Sequence, residues 1–276
     1  MVLLRPLCTL LAVACCAAVW AGAGSGRLVA IDAQVSSVAL AGPAHALVVL
    51  PDGYATSHRR YPAVYFLHGL PAGSAAYKGS PWLSRLVQKI GPFILVEPQG
   101  ARDDDSDPEY LDWGDGRNWS TYLTRELPRY IDAHFRTIPS RDGRAIVGLS
   151  AGGYGAAMLG LTHLGEFSVI ESWSGYFHAT DPTGKSAIPA PGSANVHSLI
   201  SSLAADETKR PTFVGFYVGR SDPTFVAENE ELDKELSAAS VPHRFALYPG
   251  GHETRLWADH AAAWLRLALA HLANPS

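Results

Sequence analysis

The stretch 144–159 constrains the fold more than any other part of the chain. Ala145-Ile146-Val147 is a short apolar run leading into Gly148-Leu149-Ser150-Ala151-Gly152, and small residues with helical spacing follow. A strand, a sharp turn and a helix in that order are what a G-x-S-x-G elbow needs, because the turn lifts the serine hydroxyl clear of the sheet. Glycines two before and two after the serine remove side chains that would collide there. Ser150 is therefore the candidate nucleophile.

The surrounding pattern supplies a sheet for this elbow. The runs 62–67 and 93–96 are apolar without alternation, as expected of parallel strands buried on both faces. The β-rich runs 28–40 and 44–50 flank Ala41-Gly42-Pro43 and predict an antiparallel pair at one sheet edge. Further strands are predicted over 167–173, 213–218 and 245–248, and helices over 81–90, 119–135, 228–239 and 255–272, with Pro128 kinking or breaking the second helix. The polar stretch 101–118 predicts a long loop at the mouth of the site, and 181–194 a loop or short cap over the sheet. Strands alternating with helices give an α/β fold, a mostly parallel doubly wound sheet with helices on both faces.

The N-terminus sets the compartment. Arg5, an apolar core over 7–20 and Ala21-Gly22-Ala23 read as a secretory signal over 1–23, leaving 24–276 as one domain outside the cytoplasm, secreted or in the cell envelope. All three cysteines, Cys8, Cys15 and Cys16, fall inside that leader, so the mature chain forms no disulfide and offers no cysteine to a metal. The formal charge is -4 and no basic tract occurs, which argues against nucleic acid as a partner. No stable membrane insertion is expected once the leader is removed. Oligomeric state leaves no trace in the sequence.

Candidate partners for Ser150 lie at strand ends. Asp222 follows one predicted strand and His252 the next, and the carboxyl ends of the strands line the site in an open α/β sheet. The order Ser150, Asp222, His252 is the order an α/β-hydrolase uses. A histidine titrating near neutrality can take the serine proton and return it to a leaving alcohol, while the carboxylate fixes its tautomer. Two backbone N–H groups are expected to hold the oxyanion, that of Ala151 after the nucleophile and that of Leu70 in the loop after His68-Gly69.

Competing readings are weaker. Glu228 rivals Asp222 as the acid, although a glutamate opening a helix is usually solvated. His68 could act as a base, but in a glycine loop at a strand end it more readily shapes the oxyanion loop. His252-Glu253-Thr254-Arg255-Leu256 lacks the second histidine of H-E-x-x-H, so no zinc is expected there. The run Asp103-Asp104-Asp105-Ser106-Asp107 lacks the Gly and terminal Glu of a calcium loop and reads as a solvated acidic loop. Trp113, Trp119 and Trp173 could line an acyl site, with burial in the core as the default.

Together the residues 62–70, Thr124-Arg125-Glu126-Leu127-Pro128, Gly148-Leu149-Ser150-Ala151-Gly152 and Gly250-Gly251-His252 resemble the Putative esterase family of α/β-hydrolases. That family includes S-formylglutathione hydrolases, feruloyl and acetyl-xylan esterases, and secreted mycolyltransferases. The resemblance implies a serine ester hydrolase or acyltransferase with no metal or organic cofactor, acting on a small-molecule or polysaccharide-linked ester. It also departs from the mycolyltransferases, which carry Asp-Gly-Leu-Arg where this chain has His68-Gly69-Leu70-Pro71. A secreted esterase is the first expectation, transfer to a sugar or cell-wall hydroxyl the second, and a catalytically silent binding protein the third.

Overall fold

The computed structural model describes residues 28–78, 80–182 and 186–276. The leader read over 1–23 lies outside the described residues. Eight strands form one sheet in the order β1-β2-β4-β3-β5-β6-β7-β8. They are β1 (Val29–Ser37), β2 (Gly42–Leu50), β3 (Ala63–Leu67), β4 (Ile94–Pro98), β5 (Arg144–Leu149), β6 (Val169–Trp173), β7 (Phe213–Gly219) and β8 (His243–Tyr248). β1 and β2 pair antiparallel, β2 meets β4 antiparallel, and every other pairing is parallel. The expected edge pair and the doubly wound α/β-hydrolase sheet are both present.

The apolar runs show why the central strands need no alternation. Along β3, Val64 and Phe66 join one buried cluster while Ala63, Tyr65 and Leu67 join the other. Successive side chains point to opposite faces, so a strand covered on both sides must be apolar at every position. β1 behaves differently. Ala33, Val35 and Ser37 are buried while the residues between them are exposed, the period-two pattern of an edge strand covered on one face.

The helices are α1 (Pro81–Ser84), α2 (Val87–Ile90), α3 (Trp119–Thr121), α4 (Leu127–His134), α5 (Ala151–Thr162), α6 (Ile200–Asp206), α7 (Val226–Ala238) and α8 (Thr254–Ala270). The single helix expected over 81–90 is two short turns instead. Pro128 leaves the Thr124 carbonyl without its usual helical donor, and the chain answers with a π turn over Tyr122–Glu126 between α3 and α4. The carboxylate of Glu126 leaves this turn to accept from the Ser37 hydroxyl at 2.5 Å and from the amides of Val38 and Ala39 at 3.2 and 3.1 Å. It thereby pins the β1–β2 hairpin to the helix.

Two expectations about side chains resolve in the packing. Trp119 and Trp173 are fully buried and belong to the core, while Trp113 is half-buried. The acidic run is exposed at Asp103, Asp104 and Ser106, as expected of a solvated loop, while two of its carboxylates also hold neighbouring groups. Arg117 and the Trp119 indole N–H bond to Asp105, and the Ser74 amide and hydroxyl bond to Asp103. Among the described residues no group of His, Cys, Asp and Glu is placed to hold a metal ion.

Candidate active site

Ser150 sits between β5 and α5 with φ 55° and ψ -124°, a conformation that a non-glycine residue adopts only under constraint. Its amide donates to the Trp173 carbonyl at 2.9 Å and its own carbonyl accepts from Tyr154 at 3.1 Å, so the turn is tied to β6 and to the first turn of α5. The flanking glycines are required by close approach. A Cβ on Gly148 would overlap the Gly152 carbonyl oxygen, and one on Gly152 would overlap the carbonyl oxygens of Leu67 and His68. The elbow therefore presses directly against the end of β3.

Asp222 and His252 meet Ser150 from the turns after β7 and β8. The His252 Nε2 lies 2.8 Å from the Ser150 hydroxyl and its Nδ1 lies 2.9 Å from Asp222 Oδ2. The second oxygen of Asp222 accepts from the amides of Thr224 and Phe225 at 3.0 and 3.1 Å. Asp222 is only 1% exposed. Burial works to raise its pKa, but the bonds from His252 and from the two amides outweigh that and hold the carboxyl below its ordinary value. An ionised Asp222 facing Nδ1 leaves Nε2 free to take a proton from the serine.

The imidazole is held from the sides as well as the ends. Phe225 and Trp257 each place a ring centroid 5.1 Å from that of His252, Trp257 almost perpendicular to it. The Trp257 indole N–H donates to the Ser174 hydroxyl at 3.0 Å, one residue beyond the carbonyl that anchors Ser150. Sequence alone gave these two aromatic residues no role. Trp257 lies inside an amphipathic helix, where spacing from His252 is the only available signal.

The loop after β3 lies against the elbow. A Cβ on Gly69 would come within 3.0 Å of the Ser150 Cβ, and Leu70 and Ala151 border one small recess. His68 is committed to this loop at both ring nitrogens. Its Nδ1 lies 3.1 Å from the Gly69 carbonyl oxygen and its Nε2 accepts the Gly100 amide at 3.1 Å. Burial lowers its pKa, which keeps the ring neutral in this two-ended role.

Glu228 is drawn away from His252. It accepts from the Phe177 amide at 2.9 Å and from His178 Nδ1 at 2.6 Å, with His197 Nε2 at 3.5 Å. His197 in turn meets Glu235 at 2.5 Å, and the bonds to Glu228 and Glu235 outweigh burial and raise its pKa to about 9. These groups join the segment after β6 to α7. Solvation was thus the wrong expectation for a glutamate at this helix start, because two histidines and an amide converge on it.

A third cluster lies in the loop at the mouth. Glu109 is 2% exposed and accepts from the Tyr176 hydroxyl at 2.5 Å. Burial pushes its carboxyl up to about 8, so it is largely protonated at neutral pH. Nothing in a lone acid between a proline and a tyrosine announced this.

Comparisons with known proteins agree with the geometry in kind. A family model described as Putative esterase matches residues 37–266. An esterase of Mycobacterium tuberculosis (strain ATCC 25618 / H37Rv) is 27% identical over 238 residues, covering 75% of this chain and 52% of that protein. A diacylglycerol acyltransferase/mycolyltransferase of Mycobacterium leprae (strain TN) is 37% identical over 70 residues, 25% of this chain and 21% of that one. The chain thus spans about half the length, or less, of these curated relatives. An S-formylglutathione hydrolase from Agrobacterium tumefaciens superposes with a TM-score of 0.74 at 18% identity, covering 91% of this chain and 98% of that one. At that identity the likeness establishes the fold.

Proposed function

The chain belongs to the Putative esterase family, and from that premise we propose that it is an exported serine carboxylesterase working through an acyl-enzyme on Ser150. The observation that carries the reading is the bonded series Ser150–His252–Asp222, with 2.8 Å and 2.9 Å separations. Esterase membership alone leaves the nucleophile open. The series supports Ser150 in that role.

In the first half-reaction the Ser150 hydroxyl attacks the ester carbonyl while His252 Nε2 takes its proton, and Asp222 stabilises the imidazolium that forms. The amides of Ala151 and Leu70 receive the oxyanion. Collapse breaks the bond to the alcohol, which leaves with the proton from His252. Water, deprotonated by the same nitrogen, then attacks the acyl carbonyl; the bond to Ser150 Oγ breaks as His252 returns the proton to that oxygen, and the carboxylic acid leaves.

Export rests on the leader reading of residues 1–23. Among the described residues no helix is long and apolar enough to cross a membrane. Replacing Ser150 with Ala is expected to lower turnover of a short p-nitrophenyl ester by about 10⁴-fold or more. Retained turnover would remove the nucleophile from the scheme.

A second reading, acyl transfer to a sugar or cell-wall hydroxyl, draws support from the M. leprae relative's name and short matched segment. The same acyl-enzyme serves both outcomes, and the acceptor decides. Product analysis with and without sugar acceptors separates them.

A further inference from the structure

Leu70 and Ala151 border a recess of about 10 Å³, room for about one water molecule or methyl group. Glu109 and Tyr110 also line it. We propose that this recess is the acyl subsite, and that Tyr110 and Glu109 restrict it to acetyl-sized groups. The inference rests on the serine-esterase reading of Ser150.

Position supports the assignment. Ala151 directly follows the nucleophile, and Gly69 approaches Ser150 so closely that an added Cβ would stand 3.0 Å from the serine Cβ. Ser150 itself does not line the recess, but a carbonyl it attacks, with its oxygen toward the Leu70 and Ala151 amides, stands next to two of the recess's lining residues.

The wall is built not to yield. Tyr110 is 4% exposed, and its hydroxyl donates to the His68 carbonyl oxygen. Its ring lies so close over Gly100 and Gly155 that a Cβ at either would overlap it. The ring therefore has no room to retreat on those two sides. Glu109 is anchored by Tyr176, whose ring stacks on Tyr154 with centroids 5.0 Å apart. Glu109 and Tyr110 both have positive φ, 50° and 56°, a backbone shape held in place by these contacts. A close-packed wall of this kind rejects added volume instead of flowing around it.

The test is the acyl-length profile of the full chain on p-nitrophenyl acetate, butyrate, hexanoate and octanoate, each rate normalised to hydroxide-catalysed hydrolysis. With about 10-fold or more discrimination per methylene, acetate should exceed butyrate in kcat/KM by about 100-fold. A flat or rising profile overturns the proposal. The variant Glu109→Gly removes one wall and suits a positive φ; it should narrow the acetate-to-butyrate ratio by about 10-fold, and an unchanged ratio in folded variant overturns the wall's role. If that variant fails to fold, the wild-type profile still decides. Labelling of Ser150 by a fluorophosphonate together with a flat profile sinks this inference alone. Absence of both labelling and turnover sinks the esterase reading beneath it.

Discussion

The imidazole of His252 reaches Ser150 at 2.8 Å across 102 residues of sequence, and it does so from an exposed turn whose other contacts are unusually complete. Asp222 bonds its far nitrogen, Phe225 and Trp257 flank its ring, and the strand end that anchors Ser150 also holds Trp257 through Ser174. The ends of four strands, β5 to β8, are thereby locked into one geometry. In the proposed reaction, preorganisation of this kind places the base before the ester arrives.

Asp222 and Glu228 should respond in opposite ways. Asp222→Asn is expected to lower kcat by about 10⁴-fold, because an amide facing Nδ1 favours the wrong tautomer. Glu228→Gln should change kcat by less than about threefold while lowering the melting temperature, since it loses charged bonds to His178 and His197. Steady-state kinetics and thermal melts on both variants check this, and a large kcat loss in the Glu228 variant contradicts it.

Trp257 acts as a positioning residue in this account. Trp257→Phe keeps an aromatic edge beside His252 but removes the N–H bond to Ser174. We expect kcat to fall about 10-fold with KM little changed, on the scale of a slightly misplaced catalytic group. A purely structural role would lower stability and leave kcat of the folded fraction intact.

Gly148 tolerates no side chain. Its added Cβ would meet backbone, the Gly152 carbonyl, and not the movable end of a side chain. Gly148→Ala should therefore destabilise the protein by about 3 kcal/mol or more and distort the elbow. Urea midpoints measure the first effect. Undiminished stability would mean that the elbow can relax.

A buried acid whose pKa is raised makes stability fall as pH rises. Glu97 on β4 is 3% exposed, and burial outweighs its bond from Ser84 to push the carboxyl from 4.5 up to about 8. Between those values the folded protein keeps a proton that the unfolded chain releases, so stability declines through that window and levels off above it. The loss reaches on the order of 3 kcal/mol near neutrality. Glu97→Gln should accordingly raise the melting temperature at pH 8 and change it little at pH 4, whereas equal shifts at both pH values would contradict the buried-proton account.

Much of this was legible before any coordinates, for identifiable reasons. Strands such as β3 announce themselves because both faces are covered, and a glycine-flanked serine between a strand and a helix has few other uses. What the sequence leaves open depends on contacts between distant segments. Asp222 and Glu228 both lie near the start of α7, six positions apart, and only their partners tell them apart: Asp222 faces His252, while Glu228 faces His178 and His197. The π turn before Pro128 and the burial of Glu109 likewise depend on where hydrogen bonds are redirected in three dimensions. No local pattern encodes that.

The central claim is that Ser150 is a nucleophile activated by His252. Incubating the folded protein with a fluorophosphonate probe and mapping the adduct by peptide mass spectrometry tests it most directly. The account predicts a single adduct on Ser150, lost in Ser150→Ala and slowed by about 10³-fold or more in His252→Ala. An adduct on another residue, or an unlabelled Ser150 in folded protein, would contradict it.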